Sequence, residues 1–125
     1  MSYIEYNPNP SGLSVGDCTI RAISKALNLT WKETYLYLLI QGYSMYDMPS
    51  SNRVWGQFLR EKGFIRHQIP NNCPDCYTIN DFCKDHPKGT FVVGTGTHVV
   101  CIIDGSYFDT WDSGMEVPIY YFERR

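Results

Sequence analysis

Along the chain the spacing of the apolar positions changes near residue 88, dividing the sequence into two halves of different character. In the first half apolar residues recur every three or four positions, the spacing of one helix face. Ile20, Ile23 and Leu27, with Ala26 beside them, predict a helix that begins around Cys18 and ends at Asn28. Ser14 and Asp17 have capping-box spacing just ahead of it, and Asp17 is alternatively the N-cap itself. Thr30 caps a second predicted helix, with Glu33 in its first turn. Trp31, Tyr35, Leu38 and Leu39 form its expected apolar stripe, and Gly42 its stop. Residues 43–49 read as a loop. A third helix starts at Ser50 or Ser51, turns Val54, Trp55, Phe58 and Leu59 inward, and closes at Gly63. Residues 64–69 read as a short strand. Thr78 and Asp81 form a capping box for a short helix carrying Ile79, Phe82 and Cys83. Residues 1–13, dense in turn formers from Asn7 onward, read as a loop or extended lead-in.

Past Pro87-Lys88-Gly89 the pattern turns to strands, over residues 90–93, 98–103, 106–111 and 117–122. Asp104-Gly105 is a strong two-residue hairpin signal between the second and third of these. Helices first and antiparallel strands after predict an α+β fold, with N-terminal helices packed on a C-terminal antiparallel sheet. At 125 residues the chain is expected to form one domain, 1–125, with a core that needs no staples.

Composition narrows the partners. A net charge of −2 with scattered basic residues argues against nucleic acid or an anionic membrane. No apolar run approaches the roughly 20 residues of a membrane span. Residues 1–10 are polar, with Asn and Pro, and do not read as a signal peptide, so a cytoplasmic location is expected. Five cysteines is an odd count, and without secretion a disulfide framework is not expected.

The cysteines therefore have to be read singly. Cys18 stands at a helix start, where oriented N–H groups favour thiolate over thiol, which makes it the candidate nucleophile. A nucleophilic cysteine needs a base, and the base an orienting group. His98 heads an apolar strand and is the candidate base. With a two-residue turn at Asp104-Gly105, Ile103 faces Ser106 and Asp109 faces Val100, on the His98 side of the sheet. Asp109 is thus the expected third member. A one-residue slip would bring up Asp112 instead, which stands in reserve. Cys101 alternates away from His98 into the core. Cys73, Cys76, Cys83 and His86 are weak candidates for zinc: the donor set is acceptable, but a second Cys-x-x-Cys pair is missing and Cys83 has the spacing of a buried residue. No metal and no cofactor is expected.

Gly16-Asp17-Cys18 opening a helix, His98-Val99-Val100 opening a strand and Asp109-Thr110-Trp111 on the next resemble, in that order, the papain-like cysteine peptidases. The pattern is similar to that of small bacterial and phage relatives with Gly-Asp-Cys, His and Asp-Thr-Trp-Asp. The resemblance implies a papain-like fold and a Cys18-His98-Asp109 triad, with Trp111 shielding the His–Asp pair. Papain carries a Gln a few residues before its nucleophile to bind the oxyanion. Gly12 occupies that spacing here, so Asn9, or else Asn7, becomes the expected donor beside the Cys18 backbone N–H. The implied function is a thiol-dependent hydrolase, a peptidase cleaving a peptide or isopeptide bond of a protein or peptide substrate through a Cys18 acyl-enzyme. The rivals are another acyl transferase or amidase on the same scaffold, and a catalytically silent binding domain such as a phage-encoded inhibitor of a host protein.

Overall fold

A computed structural model of the chain describes residues 2–70 and 76–125. The elements run β1 (Ser2–Glu5), α1 (Cys18–Leu27), α2 (Trp31–Met45), α3 (Asn52–Glu61), β2 (Phe64–Gln68), α4 (Ile79–Asp85), β3 (Thr90–Gly94), β4 (Val99–Ile103), β5 (Ser106–Asp109) and β6 (Tyr120–Arg124). The strands form one sheet in the order β1-β5-β4-β3-β6-β2. The class is α+β, as the order of helices and strands implies, but the sheet is mixed. β1 lies parallel to β5, with Ser2 opposite Ser106 and Glu5 opposite Asp109. Every other pairing is antiparallel. Of the extended or looped entry expected over residues 1–13, Ser2–Glu5 are extended and form a strand of the sheet, a pairing the sequence did not indicate.

The helices do not all lie on one side. Val92, Val99, Cys101, Tyr120 and Phe122 pack with Ala22, Ile23, Leu38, Trp55 and Leu59 in one core cluster. Phe91, Val93, Val100, Ile102 and Tyr107 pack with Ile79, Phe82 and Cys83 in another. Successive residues of β3 and β4 thus enter opposite cores, with α1, α2 and α3 against one face and α4 against the other. A strand buried on both sides has no polar alternation to show, which accounts for the unbroken apolar run Val99-Val100-Cys101-Ile102-Ile103.

Local signals set most helix ends. Asn28 closes α1 in the left-handed conformation, with φ 56°. Thr30 and Glu33 make a reciprocal capping box at the start of α2, and Thr78 and Asp81 make one at the start of α4. Ser51 accepts a hydrogen bond from the Arg53 N–H at the start of α3. The Ser14–Asp17 capping box does not form. Asp17 is the N-cap of α1, yet its side chain makes no capping hydrogen bond.

α2 departs most from its predicted face. It runs through Gly42 to Met45, and its buried residues are Thr34, Leu38 and Gly42, while Tyr35 and Leu39 stay exposed beside Leu36, Ile40 and Tyr43. Gly42 is a point of close approach rather than a stop: a Cβ there would lie 2.7 Å from the Asp47 carbonyl oxygen and 3.1 Å from the Pro49 nitrogen. Alanine gains about 1 kcal/mol of helix propensity over glycine, but the overpacking of a backbone that cannot step aside costs about 1–3 kcal/mol. Gly42→Ala is therefore expected to lower the denaturation midpoint, measured by urea unfolding, rather than raise it.

The β4–β5 hairpin fixes the register on which the site depends. Asp104 and Gly105 both have positive φ, 49° and 80°, the backbone of a tight two-residue turn that favours glycine. Ile103 pairs with Ser106, Ile102 with Tyr107 and Cys101 with Phe108. Beyond that the ladder ends, and the Asp109 carbonyl accepts instead from the Tyr6 N–H at 2.8 Å. Asp109 is the last residue of β5, still paired with β1 but past the last pair with β4, and His98 stands one residue before β4.

Candidate active site

Cys18 is the first residue of α1 and is half-buried. Its sulfur takes hydrogen bonds from the His98 side chain, the Val99 backbone N–H and the Thr19 hydroxyl. On the far side of the imidazole, His98 Nε2–H donates to Asp109 Oδ2 at 2.6 Å. With Nε2 committed to the carboxylate, Nδ1 is the ring nitrogen left for the thiol. Three residues separated by up to 91 positions thus meet in one hydrogen-bonded line where the start of α1 meets the ends of β4 and β5.

Asp109 is 1% exposed and fully engaged. Oδ2 also accepts from the Ser113 hydroxyl at 2.7 Å, and Oδ1 accepts from the Thr110 N–H at 2.8 Å and from Arg21 Nη2 at 3.1 Å. Arg21 is itself buried and reaches back one helical turn to Asp17. The other oxygen of Asp17 accepts from Trp31 Nε1 at 2.8 Å. A closed circuit therefore joins Asp17, Arg21, Asp109, His98 and Cys18, tying the first turn of α1 to the end of β5. This circuit also explains the missing cap. The Asp17 carboxylate turns toward Arg21 and Trp31 and makes no capping hydrogen bond to the first-turn N–H groups next to Cys18.

The electrostatics of the three groups agree. Burial alone pushes the Cys18 thiol up, but the hydrogen bonds from His98, Val99 and Thr19 and the His98 charge outweigh it and hold the thiol below its ordinary value. Burial pulls His98 down, yet the hydrogen bonds and negative charges of Asp109 and Cys18 prevail and raise it to about 9. Burial likewise raises Asp109, while His98, Ser113 and the Thr110 N–H bring it below the usual carboxylate value. At neutral pH these directions favour thiolate, imidazolium and carboxylate in a row. Cys83 and Cys101, by contrast, are pushed up by burial to about 11 and about 12 and stay protonated. Trp111 lies with its ring 5.0 Å from that of His98 and is 45% exposed, so it covers one side of the imidazole only in part.

Other expected residues lie elsewhere. Asp112, the reserve carboxylate, does not bind His98: its Oδ1 accepts from the Tyr107 hydroxyl and from the Gly114 N–H, holding the turn after β5. Asn9 Oδ1 accepts from the Ser11 N–H at 2.9 Å within its own turn. Asn7 is similarly used, donating to the Leu13 carbonyl at 3.2 Å. Cys83 sits in the α4-side core, and His86 stacks on Phe82 at 3.9 Å while its Nδ1 meets the Phe82 carbonyl. Cys76 is exposed, and Cys73 lies outside the described residues. Among the described residues no group of three His, Cys, Asp or Glu side chains is placed to hold a metal ion.

Thr19, Arg21, Ser113 and the Val99 N–H are the members of the site that sequence reasoning missed. For Arg21 a signal existed, its i,i+4 spacing from Asp17. Comparison of the chain with protein-family models, with curated proteins and with solved structures gives no match. Within the described residues no helix is long and apolar enough to cross a membrane.

Proposed function

We propose that the chain is a thiol-dependent acyl hydrolase, most specifically a papain-like cysteine peptidase acting on a peptide or isopeptide bond. The observation that carries this reading is the hydrogen-bonded line from the Cys18 sulfur through His98 to Asp109. In this reading the Cys18 thiolate attacks an amide carbonyl, forming a C–S bond, and the carbonyl oxygen gathers negative charge. The first-turn N–H groups of α1, which the Asp17 side chain leaves uncapped, stabilise that oxyanion. His98, cationic at the outset, gives its proton to the leaving amine as the C–N bond breaks. The neutral imidazole then takes a proton from water as it attacks the thioester, and the C–S bond breaks, releasing the acid and restoring the thiolate–imidazolium pair. Asp109 holds the ring by its Nε2–H and stabilises the imidazolium, keeping its own charge.

The reactive pair, thiolate with imidazolium, exists between the lowered Cys18 value and the His98 value of about 9. Acylation should follow a bell with its acid limb below the ordinary thiol range and its alkaline limb near pH 9. Asp109→Asn removes the charge that raises His98, so the alkaline limb moves to lower pH, and the acid limb rises as the thiolate loses its cation. Stopped-flow acylation by p-nitrophenyl acetate from pH 4 to 10 measures both limbs. The same reagent tests the function. A hydrolase gives a burst followed by continuing nitrophenolate release, absent in Cys18→Ala. A single stoichiometric burst with no turnover contradicts catalysis and fits a silent binding domain.

A further inference from the structure

A cavity of about 230 Å³ opens beside the first turn of α1, lined by Thr19, Ile20, Tyr35, Leu38, Pro49 and Ser50, with the Gly16–Asp17 segment closing one side. Thr19 belongs to both the cavity and the reactive group, since its hydroxyl bonds the Cys18 sulfur. Cys18 itself does not line the cavity, but the residues on either side of it, Asp17 and Thr19, do, so the cavity is the neighbouring apolar space for the substituents of a carbonyl carbon bonded to its sulfur. The cavity is smaller than the roughly 300–1,000 Å³ of sites for drug-sized ligands. Its size suits one side chain rather than a cofactor.

Its chemistry selects the kind of side chain. Ile20, Tyr35, Leu38 and Pro49 supply apolar walls. The one charged group on its lining, the Asp17 carboxylate, is buried and already bonded to Arg21 and to Trp31 Nε1. It has no spare charge with which to pair a lysine or arginine. The hydroxyls on the lining, those of Thr19, Tyr35 and Ser50, are neutral and offer no counter-charge. A charged side chain entering this space would lose water without gaining a partner, whereas an apolar one exchanges water for carbon contacts. Gly42 contributes indirectly, because the absence of a Cβ lets residues 47–49 fold against α2 and set Pro49 into the wall.

We propose that this cavity is the specificity pocket of the enzyme and binds a large apolar side chain, aromatic or branched aliphatic, on the residue that supplies the attacked carbonyl. The proposal rests on the thiol-hydrolase reading and names its substrate class. Burial of such a side chain, relative to alanine, gives a preference of about 10- to 100-fold in the rate of covalent capture.

N-acetyl-aminoacyl chloromethyl ketones with Ala, Leu, Phe, Lys or Asp side chains test it, because each is captured when the Cys18 sulfur displaces chloride and forms a thioether. Iodoacetamide, which carries no side chain, serves as the reference. The expected result is that Leu and Phe reagents inactivate about 10- to 100-fold faster than the Ala reagent, with Lys and Asp no faster than Ala. Ser50→Phe, which fills the cavity from an exposed rim position, should bring the Phe-to-Ala ratio to about one. Tyr35→Ala, which widens the wall, should shift the preference toward a Trp reagent. Equal rates for all side chains, or a preference for Lys or Asp, with iodoacetamide still modifying Cys18 rapidly, would overturn the pocket and leave the hydrolase reading standing. Failure of iodoacetamide itself to modify Cys18 at pH 6–7 would overturn both.

Discussion

Replacing His98 with alanine should slow the alkylation of Cys18 at pH 6 by about two orders of magnitude. The largest single influence on this thiol is burial, which opposes ionisation, and His98 supplies both the leading hydrogen bond and the charge that overcome it. Without the imidazole, the Val99 N–H and the Thr19 hydroxyl remain, but two neutral donors do not replace a cation. The thiol then rises toward or past its ordinary value, and at pH 6 nearly all of it is protonated. The thiolate that survives is more basic and intrinsically a better nucleophile, so the rate falls by less than the thiolate fraction does. The difference between wild type and variant should shrink steadily as pH rises toward 9, where His98 itself loses its proton. Pseudo-first-order rates with iodoacetamide at each pH give the whole comparison. A constant ratio at all pH values would mean that His98 acts on access to Cys18 and not on its charge.

Arg21→Ala should be the most destabilising substitution in the site. The guanidinium is about 5% exposed and lies between the carboxylates of Asp17 and Asp109, both of them buried. Removing one member of such a group leaves the others as uncompensated buried charges, at a cost of about 3–5 kcal/mol. Asp109 keeps His98 as a counter-charge, whereas Asp17 keeps only the Trp31 N–H, so the larger part of the loss falls at the start of α1. For a domain of this size that corresponds to a fall in Tm of about 10–20 °C. Arg21→Lys retains one charge but cannot reach both carboxylates with the two arms of a fork, and should fall between the two. Thermal unfolding followed by circular dichroism distinguishes these cases. A loss under about 1 kcal/mol for Arg21→Ala would show that the ion pairs contribute as exposed ones do.

The parts of this molecule that could be read from its sequence are those specified by local chemistry. A two-residue turn at Asp104-Gly105 admits one pairing of β4 with β5, and that pairing selects Asp109 over Asp112. The capping boxes at Thr30 and Thr78 name their helices because both partners lie within four residues. What depends on distant packing was hidden. β1 has four residues of which only Tyr3 is not exposed, so no alternation marks it, and its partner lies about 100 positions away. α2 is apolar around most of its circumference, so spacing alone could not decide that Thr34 and Gly42 face inward while Leu39 faces out. A buried arginine such as Arg21 reads in sequence as one more solvated charge until Asp109 is brought up to it.

The central claim is that one thiol is made nucleophilic by its surroundings and the others are not. Brief iodoacetamide treatment at pH 6.5, followed by peptide mass spectrometry of all five cysteines, tests it most directly. Cys18 is expected to be modified first, ahead of the exposed Cys76, with Cys83 and Cys101 unmodified while the fold is intact. Modification of Cys18 no faster than that of Cys83 or Cys101 would contradict it.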